Sequence, residues 1–214
     1  MKKGDFIWIA VLLAITAVLV IPVLQQWFVR STGEHPYIMG FFKFAIMATM
    51  GELLTLRILN KKWSRTTGMF LKTIVWGLVG ICIVLMFPLF SEGTAAAVNK
   101  GLLTGAPGFA GKLLQAFFTS AFMNLTFAPV FMAAHRISDT FIDMRAEGKQ
   151  MAGVIDIIDW KGFIRFVVFK TIPFFWIPAH TVTFLLPSQY RVIMAAYLSI
   201  ALGLLLAYAR RRKS

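Results

Sequence analysis

Six stretches of this chain, at about 6–24, 37–59, 73–90, 113–134, 165–186 and 192–208, are each apolar over close to the length that a helix needs to cross a bilayer. A hydrocarbon core roughly 30 Å thick takes about 20 residues of helix. No soluble globular chain repeats such runs. With 58% hydrophobic side chains, 14% charged ones and a mean hydropathy of +0.75, composition points the same way. The chain is therefore read as an all-α, polytopic membrane helix bundle, a single integral membrane domain over 1–214.

The formal charge of +13 raises the question of nucleic acid, but the basic residues lie in short loops between apolar runs. Nucleic-acid binding would need them gathered on a polar surface. Six spans put both termini and the second and fourth loops on one side, and 16 of the 22 Lys and Arg residues fall there. That bias is the positive-inside pattern, so both termini are expected inside. The basic start, Met1 to Asp5, precedes a long apolar run with no small-residue cleavage site, which favours an uncleaved first span over a removable signal. Cys82 stands alone, so no intrachain disulfide and no thiolate metal cluster is available.

Between the spans, 91–112 reads as a Gly-, Ala- and Thr-rich loop and 135–162 as the longest polar segment. Within the latter, Val154 to Phe163 has the spacing of a short interfacial helix before the fifth span.

Polar residues inside the spans carry what chemistry there is. Glu52 and Lys43 share the second span but are nine residues apart, which places them on opposite faces, roughly 13 Å apart along the axis. They cannot pair. Lys170 is the expected partner of Glu52 in a buried polar cluster, with snorkelling to the two interfaces as the alternative. His180 follows Pro178 and precedes Thr181 and Thr183. It either lines a pore or is a neutral ring satisfied by a carbonyl that the prolines free. Asn124, in the fourth span, fits interhelical hydrogen bonding. His135, Asp139 and Asp143 would share one helix face, read as solvated in preference to metal-binding. Pro173, Pro178 and Pro187 interrupt the fifth span, which Trp160 and Arg191 bracket at the two interfaces. The chain shows no nucleophile elbow, phosphate loop, metalloprotease pair or dinucleotide fingerprint. Neither an enzyme nor a cofactor is expected.

From about residue 35 to 208 the chain resembles the Mpv-seventeen/peroxisomal-membrane-protein family. The resemblance rests on His35-Pro36 and Gly51-Glu52 at the ends of one span, on the Gly-rich Trp76-Gly77 to Gly80, and on Phe127-Ala128-Pro129. It also rests on Leu186-Pro187-Ser188-Gln189-Tyr190-Arg191 after a Pro-interrupted aromatic segment. The first span has no counterpart in that family. Asn124 replaces a usual Gln, and Trp176-Ile177-Pro178 replaces a Trp-Pro, as in a divergent, bacterial branch. The resemblance implies a channel or passive small-solute or ion pathway in a bacterial cytoplasmic membrane, or else in a mitochondrial inner or peroxisomal one. Under it, Glu52, Lys43, Asn124, Lys170, His180 and Thr183 line a polar interior. The competing reading is a structural or lipid-binding protein whose basic rim (Lys61, Lys62, Arg65 and Arg210 to Lys213) holds anionic lipid. Homo-oligomerisation stays open.

Overall fold

The computed structural model describes residues 2–211, and these form a helical bundle with six long apolar helical segments. The chain is a multi-pass membrane protein by this architecture. Its helices are α1 (Lys3–Val20), α2 (Pro22–Glu34), α3 (Pro36–Asn60), α4 (Met69–Asn99), α5 (Gly108–Phe122), α6 (Ala128–Ala146), α7 (Trp160–Gly162), α8 (Ile177–Leu185) and α9 (Ser188–Arg211). Two π-helical stretches, Met123–Phe127 and Phe163–Trp176, join α5 to α6 and α7 to α8 without a break.

Several elements run further than their apolar content suggests. The loop expected over 91–112 is helical to Asn99, because Ser91–Asn99 is Ala-rich and Ala is the strongest helix former. The helix stops only where Gly101 takes a positive φ of 70°. Likewise α6 continues through His135, Asp139 and Asp143 to Ala146, since nothing before Gly148 breaks it. The interfacial helix expected over Val154 to Phe163 is replaced by turns through 152–157, after which helix begins at Trp160. Asp159 caps that start by accepting a bond from the Gly162 N–H at 2.8 Å. Val154 and Ile158 are nonetheless buried, packed with Met144 against Ile137 and Trp160.

The first span, expected over 6–24, ends as α1 at Val20, and the short loop expected between 24 and 37 is mostly helix. Pro22 opens α2 at a position where its missing N–H costs nothing, and Pro36 opens α3 in the same way.

The central element is α3, packed between α4 and α9. Two close approaches fix the α3–α4 pair. Gly80 lies against the Gly40 carbonyl, and Gly77 lies under the Phe41 ring, so neither leaves room for a Cβ. Small residues at such a crossing let two backbones come together in a bilayer, where van der Waals packing is a main attraction between helices. On the α9 side, Gly51 packs on Ser199 and Ile200 backbone, and Gly203 on Thr55 and the Gly51 carbonyl.

The N-terminal helix is peripheral. α1 buries no residue and is tied by three sets of polar contacts. Asp5 accepts bonds from Arg57 (2.8 and 3.1 Å) and from the Trp63 indole N–H (2.9 Å). Trp8 donates to the Met50 carbonyl at 3.0 Å, and Thr16 and Tyr197 share a 2.8 Å bond. Asp5 therefore places the start of α1 beside the end of α3. Because α9 passes Thr55 at Gly203, it runs toward that same end, called here the termini end.

Candidate functional site: a cavity within the bundle

A cavity of about 350 Å³ lies between α3, α4, the first π stretch, α6, α8 and α9. Among its lining residues are Phe44 to Thr55 of α3, Trp76, Val79 and Ile83 of α4, and Met123, Asn124 and Phe127 of the π stretch. Its charged lining residues are Glu52 and Asp139.

At the far end the cavity is closed by its own helices. The lining stops at Ile83, His180 and Ala195, and the next residues inward toward that end are the buried Phe87, Phe184 and Val192. Phe87 and Phe184 rings meet at 5.0 Å, and Arg191 sits over Phe184 at 5.6 Å. Arg191 also donates to the Leu186 carbonyl at 2.9 Å, which secures the turn between α8 and α9 around the exposed Pro187.

Toward the termini end the cavity adjoins a second, polar one of about 510 Å³, and Glu52, Thr55 and Asp139 line both. The charges of this mouth are organised by Lys72. Its ammonium lies 2.8 Å from Asp143 and 3.9 Å from Glu52, joining α4 to both α6 and α3. The partner expected for Glu52 was Lys170. That residue instead sits exposed on the outer face of the second π stretch, and Glu52 takes Lys72 from α4. The physical reason lies in helix length: α4 starts at Met69, so Lys72 belongs to a bundle helix instead of the preceding loop.

The predicted polar residues divide cleanly. Glu52, Asn124 and His180 come together on the cavity. Lys43 lies outside it, although buried. Its ammonium donates to Thr32 Oγ1 at 2.8 Å and stands 4.3 Å over the Phe28 ring, so α2 folds over it near the far end. Thr183 is buried too, but its hydroxyl bonds back to the Ala179 carbonyl at 3.0 Å within its own helix.

Asn124 and His180 form the polar seam between the fourth and fifth long segments. The Asn124 amide nitrogen is 3.1 Å from His180 Nδ1 and 2.8 Å from the Ser120 carbonyl. Ser120 in turn donates to the Ile177 carbonyl at 2.7 Å. That carbonyl also accepts from Thr181 at 2.7 Å, so the backbone near Pro178 is satisfied by side chains of both segments. Pro173 and Pro178 thus do not break the fifth span, whereas the chain turns at Pro187. Pro173 is absorbed inside the π stretch, and Pro178 and Pro129 each sit at the first turn of the α-helix that follows a π stretch. π turns of this kind are frequent at functional sites.

His135, Asp139 and Asp143 do share one helix face, but that face is solvated only in part, with His135 covered and Asp143 half-exposed. His135 meets Trp76 at a tilt with ring centroids 4.1 Å apart, Asp139 lines both cavities, and Asp143 holds Lys72. Among the described residues they do not assemble into a metal site. A second indole–imidazole pair, Trp176 with His180 at 5.1 Å, lines the cavity wall. Four polar atoms are buried without a partner among the described residues: Thr66 Oγ1, His135 Nδ1, Asp139 Oδ1 and Trp176 Nε1.

A comparison with protein-family models, curated proteins and solved structures finds no match. The cavity therefore has to be interpreted from its own geometry.

Lys72 is the site residue that sequence reasoning missed, while Asp139 was read on a solvated face and Trp76 and Trp176 as motif residues instead of cavity walls. The available signal was the spacing of His135, Asp139 and Asp143 by four, which already set them on one face.

Proposed function

We propose that the protein is a passive pathway for a small solute across its membrane, held here with the far end closed. The observation that supports this reading is the meeting of Glu52, Asn124 and His180, from three different segments, on one cavity that adjoins a charged mouth. Ionisable groups at membrane depth are costly, face cavities or partners, and mark solute or ion routes. The resemblance to a pore-forming family agrees with it. The positive-inside bias supports an inside location for the termini end, with its charged mouth. The proposal includes no catalytic step.

Purified protein in liposomes and planar bilayers provides the test. Solute flux or conductance is expected, with a loss of roughly ten-fold or more for Glu52→Gln, the scale of one displaced charge contact. Absence of any flux would remove the pathway reading. Flux untouched by Glu52→Gln would remove the assignment of this site.

One observation favours a second reading. Much of the cavity wall is apolar, including Phe44, Val79, Ile83 and Phe131. A lipid-binding protein without transport would use such a wall, and lipid retained in the cavity together with no flux would decide for it.

A further inference from the structure

The geometry points to a small organic cation as the solute of this cavity: an amine or quaternary ammonium group carried on an apolar body. This inference deepens the pathway reading by naming what the same cavity holds.

Charge is the first argument. In a chain of formal charge +13, the cavity's charged lining residues are both acidic, Glu52 and Asp139. Neither is fully matched. Lys72 makes its short contact, 2.8 Å, to Asp143 and stands 3.9 Å from Glu52. Asp139 Oδ2 is 3.5 Å from His135 Nε2, while its Oδ1 is buried with no partner among the described residues. An anionic guest would add like charge to two carboxylates in a low-dielectric site, and a neutral guest would leave them uncompensated. A cation answers both.

The walls supply the second argument. Trp76 and Trp176 line the cavity; the His180 imidazole stacks on Trp176, and the His135 ring meets Trp76 at a tilt, 4.1 Å between centroids. Indole faces attract cations through the ring quadrupole, most strongly where water is excluded. A carboxylate flanked by indoles is the combination that recognises alkylammonium groups.

His180, 7% exposed, also lines the cavity, with its Nδ1 engaged by Asn124. The volume of about 350 Å³ suits a small ligand, since such sites start at roughly 300 Å³.

Calorimetric titration of the full-length protein in detergent tests this with three phenyl probes that differ in charge: benzyltrimethylammonium, benzyl alcohol and benzenesulfonate. The cation should bind roughly ten-fold or more tightly than the other two, equivalent to about 1.4 kcal/mol. Asp139→Asn and Trp76→Leu should each weaken the cation and leave benzyl alcohol unchanged. If Asp139→Asn does not elute as a folded species, Trp76→Leu alone decides. The inference is overturned by equal binding of the neutral or anionic probe, by no binding of any probe, or by folded variants that retain full affinity for the cation. Cation binding without flux keeps this inference and ends the pathway reading. Flux of neutral solutes without cation preference does the opposite.

Discussion

Lys72, in the first turn of α4, and Asp143, in the last turn of α6, meet at 2.8 Å across the mouth of the cavity. The lysine is 6% exposed, so this is a largely desolvated cation answering two carboxylates from two other helices. Lys72→Met is expected to lower thermal stability in detergent by about 1–3 kcal/mol. The lower part of that range reflects an Asp143 that remains half-exposed. Asp143→Asn in the same chain should restore part of the loss, and a double-mutant cycle of melting temperatures measures the coupling.

The seam between Asn124 and His180 behaves differently. Asn124→Leu leaves a buried imidazole nitrogen without its partner, which should cost about 1–3 kcal/mol. Replacing both by apolar groups, Asn124→Leu with His180→Phe, should cost less than the single change, because no orphaned polar atom remains. Chemical denaturation of the two variants side by side distinguishes a hydrogen-bonded seam from simple packing.

Close packing of α3 on α4 makes a directional prediction for glycine. At Gly80 an added methyl runs into the Gly40 carbonyl, so Gly80→Ala should separate the helices and destabilise by about 1–3 kcal/mol. At Gly93, further along the same helix, nothing lies within 4 Å of an added methyl. Gly93→Ala should stabilise by about 1 kcal/mol through helix propensity alone. Melting temperatures that move in the same direction for both would contradict the geometry.

α1 is held to the bundle by the Asp5 contacts at its start and by the partly buried Trp8, Leu12, Ile15, Val18 and Leu19 on the core. Asp5→Asn weakens the bonds from Arg57 and Trp63 together, and should speed amide exchange along α1 while leaving α3 and α9 protected. Hydrogen-exchange mass spectrometry resolves the two regions.

Lys170→Met is expected to change neither stability nor solute flux, because the side chain is exposed and takes no part in the Glu52 cluster. A loss of flux in this variant would return Lys170 to the interior.

Long-range features of the bundle were legible to different degrees. Six apolar runs dictated six membrane-length segments, and the glycines at 77 and 80 marked the α3–α4 approach. Glu52, Asn124 and His180 could be singled out because each is a polar residue in apolar surroundings. Lys72 could not. It sits at the edge of a run, among loop lysines, and only the extension of α4 to Met69 draws it inward. The His135–Asp143 face was visible as a face, but whether it met water or protein depended on what α3 and α4 bring to it, which local spacing does not encode. The basic rim at the C-terminus offers no comparison: the side chains of Arg210 and Arg211, and residues 212–214, lie outside what the structure describes.

The π stretch from Phe163 to Trp176 has an effect on everything that follows it in sequence. An α-helix turns about 100° per residue, whereas a stretch bonded from i to i+5 spends an additional residue on every turn. A helical wheel drawn from Trp160 at α-helical pitch consequently assigns Trp176 and His180 to the wrong azimuth. Deleting one residue between 163 and 176 would swing both side chains by about 80° and part His180 from Asn124, while the same deletion in the preceding turns would not. The walls of this cavity are set by the winding of the main chain as much as by the identity of the side chains it carries.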